Sequence, residues 1–193
     1  EGIKVTETEK DDLKITLVEI LNEKGSEEMG KPIGKYLTIE SQDMKENDVF
    51  LHEKIIYNLS EWIKKFVEPN LKGDGGVLVV GLGNRYITPD SLGPKVISKI
   101  LVTRHLKGTL PDELENQVKK VAAISPGVMG ITGIETAEII KGVAKRINPS
   151  VIIAIDALAA RRASRINSTI QMTDTGVCPG GGVGNKRNAL NYE

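Results

Sequence analysis

The pattern of apolar and polar positions divides the chain into a β-rich beginning and a longer part in which strands and helices alternate. Residues 14–20 and 34–40 carry apolar side chains at roughly alternate positions, which predicts two paired strands. The polar residues 22–25 include a glycine and predict a turn after the first strand. Residues 1–45 are therefore predicted to form a β-hairpin-like extension.

A helix is predicted to follow this extension. Apolar residues recur at helical spacing from Asp48 to Val67, with Asp48 placed to cap the helix and Pro69 just beyond its end. Further on, short apolar runs alternate with helical segments. Buried strands are predicted at 77–81, 118–124 and 151–155, helices at 89–101 and 133–147, and an extended run at 168–173.

Strands that alternate with helices typically form a mainly parallel sheet with helices on both faces. The sequence therefore predicts a three-layer α/β core over residues 46–193, which forms a single domain together with the extension. The chain starts without methionine and stops in a polar stretch. We therefore expect it to be part of a longer protein.

Composition adds mainly exclusions. The 26 basic residues equal the 26 acidic residues in number, so no basic excess points to nucleic acid. The apolar runs are too short to cross a bilayer, and the first residues lack the pattern of a signal peptide. A single cysteine, Cys178, excludes an internal disulfide and fits a reducing compartment. The interpretation is a cytoplasmic protein with no nucleic-acid or membrane partner.

Two aspartates follow predicted strands. Asp90 lies in the loop after the first buried strand, and Asp156 directly follows the third. Because active sites of open α/β sheets lie beyond the carboxyl ends of the strands, the two carboxylates can share one site. One would act as an ionised base and the other as a proton-retaining acid. The alternatives are a carboxylate that stabilises a helix start at Asp90, for which Thr88 is the predicted cap, and a structural cap at Asp156.

Glycine-rich loops supply backbone amides near these positions. Gly83 and Asn84 follow the first buried strand, and Gly127, Gly130 and Gly133 follow the second. Such amides suit a developing oxyanion, although a plain flexible connection is the alternative. The first loop does not complete a dinucleotide-binding fingerprint.

The remaining candidates are weaker. His105 has no second metal ligand at a recognisable spacing, so it is either a surface residue or a contributor to the site. No metal and no cofactor are predicted. The Asp-Thr-Gly triplet at 174–176 resembles that of pepsin-like proteases, but we interpret it as a chance match. The glycine run at 180–186 is either a loop or a phosphate cradle without Walker spacing.

Six longer stretches carry a resemblance to a known family. They read Gly-Lys-Pro-Ile-Gly-Lys-Tyr-Leu-Thr-Ile-Glu (30–40), Val-Leu-Val-Val-Gly-Leu-Gly-Asn (77–84), Thr-Pro-Asp-Ser-Leu-Gly-Pro (88–94), Val-Thr-Arg-His-Leu (102–106), Pro-Gly-Val-Met-Gly-Ile-Thr-Gly-Ile-Glu-Thr (126–136) and Ile-Asp-Ala-Leu-Ala-Ala-Arg (155–161). Together they resemble the spore germination protease, an endopeptidase of endospore-forming bacteria. The resemblance runs from about residue 14 to the end.

The resemblance implies several properties. The family degrades small acid-soluble spore proteins, is made as a zymogen during sporulation, matures by self-cleavage of a propeptide and forms a homotetramer. Its fold resembles that of the hydrogenase-maturation proteases, and its two essential acidic residues fall on Asp90 and Asp156. The family is grouped with aspartic peptidases and continues past Glu193. Its targets imply cleavage beside an acidic residue, in the spore core.

Three functions remain open from the residues themselves. The first is an endopeptidase in which Asp90 and Asp156 activate water and protonate the leaving amine. Which aspartate takes which role is not assigned. The second is a metal-dependent peptidase of the hydrogenase-maturation type, in which both aspartates and His105 hold a divalent ion. The third is a non-catalytic module that binds an anion or nucleotide through the glycine-rich loops.

Overall fold

The computed structural model describes residues 1–177 apart from residues 11, 47, 74, 116 and 161. In this part of the chain the strands are β1 (Ile3–Lys10), β2 (Leu13–Ile20), β3 (Gly34–Glu40), β4 (Val77–Gly81), β5 (Val121–Ile124), β6 (Val151–Ile155) and β7 (Thr169–Thr173). The α-helices are α1 (Glu23–Met29), α2 (Val49–Val67), α3 (Leu92–Ile97), α4 (Asp112–Glu115), α5 (Met129–Thr132) and α6 (Thr136–Ile147). Cys178 and the glycine run at 180–186 lie outside the described residues.

The described residues form two compact units. One contains residues 1–66 and 159–176, and the other contains residues 67–158 and residue 177. The assignment of the whole chain to one domain stays a prediction. None of the described helices combines the length and apolarity that a membrane crossing requires.

The first unit is built on an antiparallel sheet with the strand order β1-β2-β3-β7. Strands β2 and β3 confirm the predicted pair, and their register sets Ile15 opposite Ile39. Leu13, Ile15, Leu37 and Ile39 are buried and form one core cluster. The predicted turn at 22–25 is wrong, because the Asn22 side chain accepts a hydrogen bond from the backbone N–H of Gly25 and so caps the short helix α1.

Helix α2 forms where the apolar spacing predicts it. The Asp48 carboxylate accepts hydrogen bonds from the backbone N–H groups of Phe50 (2.9 Å) and Leu51 (3.2 Å), which confirms the predicted cap. Leu51 and Ile55 are buried in the same cluster as the apolar residues of β2 and β3. The helix therefore packs on the antiparallel sheet, although the predicted core from residue 46 onward assigned it to the parallel one.

The extended run at 168–173 also belongs to the first unit. As β7 it pairs antiparallel with β3, with Thr173 opposite Tyr36 and Thr169 opposite Glu40. Just beyond it, Asp174 Oδ1 accepts a 2.7 Å hydrogen bond from the backbone N–H of Lys35. Asp174 thus fastens the turn after β7 to the start of β3, which gives the Asp-Thr-Gly triplet a structural role.

The second unit is built on a parallel sheet with the order β5-β4-β6. All five residues of the central strand β4 are buried, as a continuous apolar run requires. Buried Ile140 of α6 belongs to a core cluster with Leu78, Val80 and Leu82, so this amphipathic helix covers the sheet. The mixed α/β class is confirmed, with one antiparallel and one parallel sheet.

Candidate active site

Asp90 lies in the loop that follows the central parallel strand. It ends the 3₁₀ turn Thr88–Asp90, just before α3. Its Oδ2 accepts a 2.8 Å hydrogen bond from the backbone N–H of Asn84. Helix α3 has no side-chain cap, so the predicted cap role of Thr88 is wrong. Thr88 instead uses its backbone carbonyl, which accepts from the N–H and the hydroxyl of Ser91.

Asn84 organises the loop around this carboxylate. Its backbone N–H donates to Asp90, its carbonyl accepts from the N–H of Ile87 (3.2 Å), and its side-chain Oδ1 accepts from the N–H of Tyr86 (3.0 Å). The backbone amide predicted as an oxyanion donor is therefore engaged with Asp90. This contact makes Asn84 a positioning residue for the carboxylate.

Gly83 permits the close approach of Asp90 to the strand end. Its φ is +106°, a backbone conformation that side chains disfavour. A Cβ at this position would collide with the backbone carbonyl oxygen of Asp90 and would lie 2.8 Å from Asp90 Oδ1. Both constraints require glycine here, so the loop can hold its aspartate in this position only because residue 83 lacks a side chain.

A second close approach connects this loop with the end of β6. A Cβ at Gly93 would lie 2.5 Å from the backbone nitrogen of Leu82 and 2.6 Å from the carbonyl oxygen of Ile155. The Leu82 N–H itself donates a 2.8 Å hydrogen bond to that carbonyl. A Cβ at Gly81 would collide with the carbonyl of Gly93. The start of α3 therefore packs closely against the end of β6. Asp156 is the residue that directly follows this strand.

The pKa of the Asp156 carboxyl group is raised above its ordinary value. Burial raises the pKa of this carboxyl above its ordinary value, whereas the hydrogen bond from the backbone N–H of Ala157 (2.9 Å) lowers it. The negative charge of Asp90 raises the pKa of Asp156 as well. The charges of the two predicted carboxylates therefore interact at the carboxyl edge of the parallel sheet.

The loop after β5 contains the other predicted amide donors. Gly127 has a φ of +77°, and its carbonyl accepts a hydrogen bond from the Thr136 hydroxyl at the start of α6 (3.2 Å). The N–H of Gly133 donates to the carbonyl of Met129 (2.8 Å) and is engaged inside the loop. Gly130 is exposed within α5. The N–H of Gly133 is therefore already engaged, and the donor role of Gly127 and Gly130 stays a prediction.

His105 lies away from the aspartates. It is exposed in the 3₁₀ turn Arg104–Leu106, and the preceding Thr103 donates its N–H to the carbonyl of Val121, the first residue of β5. The turn therefore lies at the amino edge of the parallel sheet, opposite the edge where Asp90 and Asp156 lie. Among the described residues there is no cluster of three or more His, Cys, Asp or Glu side chains that could hold a metal ion.

Comparison with known proteins decides the family. The family model described as germination protease matches residues 1–193. The chain belongs to the germination protease family. This confirms the resemblance that rests on the six quoted stretches.

Individual germination proteases are similar over the whole chain. The relative in Caldanaerobacter subterraneus subsp. tengcongensis is 50% identical over 192 residues, which cover 100% of this chain and 59% of that protein. The Clostridium tetani protein is 50% identical, with 98% and 58% covered. The Priestia megaterium protein is 48% identical, with 100% and 52% covered. The chain thus spans somewhat more than half the length of these curated relatives.

Sequence reasoning missed two residues of the site. Gly81 and Gly93 set the spacing between β4, α3 and the end of β6, yet neither belongs to a motif that predicts this. From the sequence alone, Gly93 is only one residue of the predicted helix start before Pro94. The close approach arises between segments that are distant in sequence, so spacing along the chain carries no signal of it.

Proposed function

We propose that this chain carries the catalytic carboxylates of a germination endopeptidase, and that Asp90 and Asp156 act together on the peptide bond. The observation that carries the proposal is the electrostatic contact of the two carboxylates, since the charge of Asp90 raises the pKa of Asp156. Both follow parallel strands at the sheet edge where active sites of this architecture lie. Family membership supports a peptidase.

The environments of the two carboxylates suggest different roles. Asp90, which accepts the N–H of Asn84, takes a proton from water as the water oxygen attacks the peptide carbonyl carbon. Asp156, whose raised pKa favours the protonated form, gives its proton to the amide nitrogen as the C–N bond breaks. The proton removed from water then returns Asp156 to its starting state through solvent or Asp90. Each carboxyl group ends the cycle as it began.

The loop after β5 is the proposed source of oxyanion stabilisation. The tetrahedral intermediate carries a negative oxygen that needs one or two N–H donors. The amides of Gly127 and Gly130 are the candidates, because that of Gly133 is engaged with Met129. The loop follows β5, which neighbours β4 in the sheet.

Exposed apolar side chains lie in the segments that follow the three parallel strands and support binding of a polypeptide substrate. Tyr86 and Ile87 follow β4, Met129, Ile131 and Ile134 follow β5, and Leu158 follows β6. We call these six residues the apolar rim. Exposed apolar residues in the segments beside a proposed active site fit the side chains of an extended peptide. The proposed substrates are small acid-soluble spore proteins, cleaved beside an acidic residue as the family resemblance implies.

Aspartate-to-asparagine substitutions in the complete polypeptide test this function. Asp90→Asn and Asp156→Asn keep the shape of the side chain but cannot transfer a proton, so each is expected to lower peptide cleavage by about 100-fold or more. Asp48→Asn is the matched control, since asparagine caps helices as well as aspartate does. Full cleavage by Asp90→Asn or Asp156→Asn with an unchanged circular dichroism spectrum would refute the dyad.

Cleavage assays on the same protein and variants also distinguish two rival functions. Loss of cleavage after exhaustive chelation, and its return on adding a divalent ion, would favour a metal-dependent peptidase of the hydrogenase-maturation type. The structure places His105 at the other edge of the sheet, so such a site would rest on the two aspartates. A non-catalytic anion-binding module would show no cleavage in any variant.

The family resemblance supports further proposals for the complete protein. These are synthesis as a zymogen with a propeptide removed by self-cleavage, assembly into a homotetramer, an atypical aspartic mechanism and location in the cytoplasm of the spore core. A three-layer arrangement of the parallel sheet, related to that of hydrogenase-maturation proteases, is also proposed. The mass of the purified protein before and after maturation tests the first of these directly.

A further inference from the structure

Helix α2 has an exposed apolar face in addition to its buried one. Leu51 and Ile55 of this helix are buried in the cluster that covers the antiparallel sheet. Two further sets of apolar residues repeat every seven positions and therefore share one face of the helix. They are between 37% and 77% exposed and consist of Val49, Phe50, Ile56, Tyr57 and Ile63. We call these five residues the α2 stripe.

Covering a sheet does not require such a stripe. A helix that covers one face of a sheet normally has polar residues on its outer face. Helix α6 covers the parallel sheet in this way, and its exposed residues are Glu138, Lys141, Gly142, Lys145 and Arg146. The outer face of α2 instead holds two aromatic and three β-branched side chains. Exposed apolar surface of this kind marks a site of association.

The order of residues along the α2 stripe is self-complementary. Two copies of α2 can lie antiparallel about a two-fold axis that passes between Ile56 and Tyr57. This arrangement sets Ile56 against Tyr57 of the second copy and Phe50 against Ile63 of the second copy, so each aromatic ring meets an isoleucine. Each contact occurs twice, as an interface between identical surfaces requires.

Glu53, which is exposed on the same face of the helix, favours this direction. In a parallel pair it would lie against Glu53 of the second copy, and two like charges at an apolar interface repel each other. In the antiparallel pair it faces Ser60 of the second copy. The Ser60 hydroxyl donates to the carbonyl of Tyr57 in its own helix (2.8 Å), and it can rotate to donate to the Glu53 carboxylate instead.

We propose that the α2 stripe is a two-fold interface between two copies of this chain, with the helices antiparallel. Because a fully exposed aromatic side chain presents about 150–250 Å², the stripe exposes roughly 500 Å² in each copy. The pair therefore buries roughly 1,000 Å² in total, which is the lower limit for a specific interface. The inference rests on the homotetramer proposed above, to which it assigns one interface, and it is independent of the peptidase chemistry.

Sedimentation of the complete polypeptide at a series of concentrations tests the interface. Ile56→Glu places a carboxylate against Tyr57 of the second copy, so it should weaken association by about tenfold or more, the scale for an unpaired charge at an interface. The control is Leu21→Glu, a matching change at a residue that is 59% exposed and lies outside α2. It should leave association unchanged. A monomeric parent protein would overturn both this interface and the homotetramer, whereas equal association of the parent protein and Ile56→Glu would overturn this interface alone.

Cysteine cross-linking determines the direction of the helices. Phe50→Cys and Ile63→Cys are made in the complete polypeptide with Cys178→Ser, verified by circular dichroism, and oxidised separately and as a mixture. In the antiparallel pair, position 50 of one copy lies beside position 63 of the other. The two copies of position 50 lie about 20 Å apart along the helices, at a rise of about 1.5 Å per residue, which is too far for a disulfide. Disulfide-linked dimers are therefore expected from the mixture alone.

Three outcomes of this experiment would overturn the proposal. Linkage of Phe50→Cys to itself would show a different direction, and absence of linkage in the mixture would show that the two stripes do not meet. Protection of both thiols from a maleimide reagent in a monomer would show that another part of the complete polypeptide covers the α2 stripe. Peptide cleavage measured on the same samples reports on the aspartates separately.

Discussion

The backbone N–H of Asn84 lies 2.8 Å from Oδ2 of Asp90 and donates its hydrogen bond to that carboxylate. This contact folds the loop after β4 back on itself, so the aspartate is held at the strand end by a main-chain donor. It depends on Gly83, where a side chain would collide with Asp90. Substitution of residue 83 therefore tests how the carboxylate is positioned.

Gly83→Ala is expected to lower peptide cleavage in the complete polypeptide by about 100-fold, because misplacing a reacting group by about 1 Å has this scale of effect. It should also destabilise the fold by ~1 kcal/mol or more, since alanine disfavours a positive φ. Kinetics on a peptide substrate and thermal unfolding measure the two effects.

Gly142→Ala is the control for that substitution. Gly142 lies in α6, and a Cβ there meets nothing within 4 Å. Alanine should leave stability unchanged or raise it by up to ~1 kcal/mol. If Gly83→Ala retained the activity of Gly142→Ala, the loop would not need its observed conformation for catalysis.

The raised pKa of Asp156 predicts how stability depends on pH. Between the ordinary value of 3.8 and the raised folded value, the folded state binds more protons than the unfolded state, so the free energy of unfolding falls as pH rises. Above the folded pKa the full cost of ionising Asp156 is present, and below 3.8 it is absent. Asp156→Asn should therefore be more stable than the parent protein at neutral pH, with the difference disappearing in acid.

Thermal unfolding of Asp156→Asn and the parent protein across this pH range checks the sign. Asparagine retains the Oδ1 acceptor for the N–H of Ala157, so the comparison isolates the charge. A stability difference that stayed constant with pH would mean that the pKa of Asp156 is not raised.

The coupling between the aspartates gives a separate prediction. Asp90→Asn removes a negative charge that raises the pKa of Asp156, so the pKa of Asp156 should fall in that variant. Carboxyl carbon chemical shifts followed by NMR measure the titration directly. Glu138→Gln, which removes an exposed carboxylate of α6, should leave the Asp156 pKa unchanged. If Asp156 titrated at the same pH in the Asp90→Asn variant as in the parent protein, the two carboxylates would not interact electrostatically.

Much of this fold could be predicted from local patterns. The strand at 34–40 and the helix capped by Asp48 follow from alternation, helical spacing and a capping residue, all of which act within a few residues. The continuous apolar run of β4 likewise indicated a buried central strand. The position of Asp156 at the end of β6 followed from the same kind of pattern, because the strand and its next residue are adjacent in sequence.

What could not be predicted involves pairing across long separations. The run 168–173 has no property that distinguishes an antiparallel partner of β3 from a strand of the parallel sheet, since pairing is chosen by packing between distant segments. The same holds for Gly93, whose contact with Ile155 joins residues far apart in the chain. The turn expected at 22–25 is the start of a helix. An asparagine side chain favours helix N-caps as well as turns, and here Asn22 caps α1.

The close packing of Gly93 predicts a strong effect on stability. In Gly93→Ala, the added methyl group would meet the backbone atoms of Leu82 and Ile155 at 2.5 to 2.6 Å, and neither can rotate away. We expect destabilisation by ~1–3 kcal/mol, the range for overpacking, and reduced cleavage because α3 would shift from the strand ends. Gly142→Ala in α6, where a Cβ meets nothing within 4 Å, should not destabilise. Equal unfolding temperatures for these two variants would contradict the packing argument.

The apolar rim predicts how substrate recognition responds to substitution. Leu158 is 64% exposed and follows Asp156 by two residues, whereas Leu101 is 81% exposed and lies just before Thr103, at the amino edge of the sheet. Leu158→Ser removes apolar area from the rim, so it should lower kcat/KM by about tenfold for a peptide with apolar residues beside the scissile bond. The effect should be smaller for a peptide with serine at those positions. Leu101→Ser removes a similar area at the other edge and should change neither value.

Because exposed positions tolerate the change, both variants should unfold at the temperature of the parent protein, and a loss of activity would then reflect substrate contact alone. Equal kcat/KM for Leu158→Ser and the parent protein on both peptides would show that the rim does not contact substrate, while leaving the role of the two aspartates untouched.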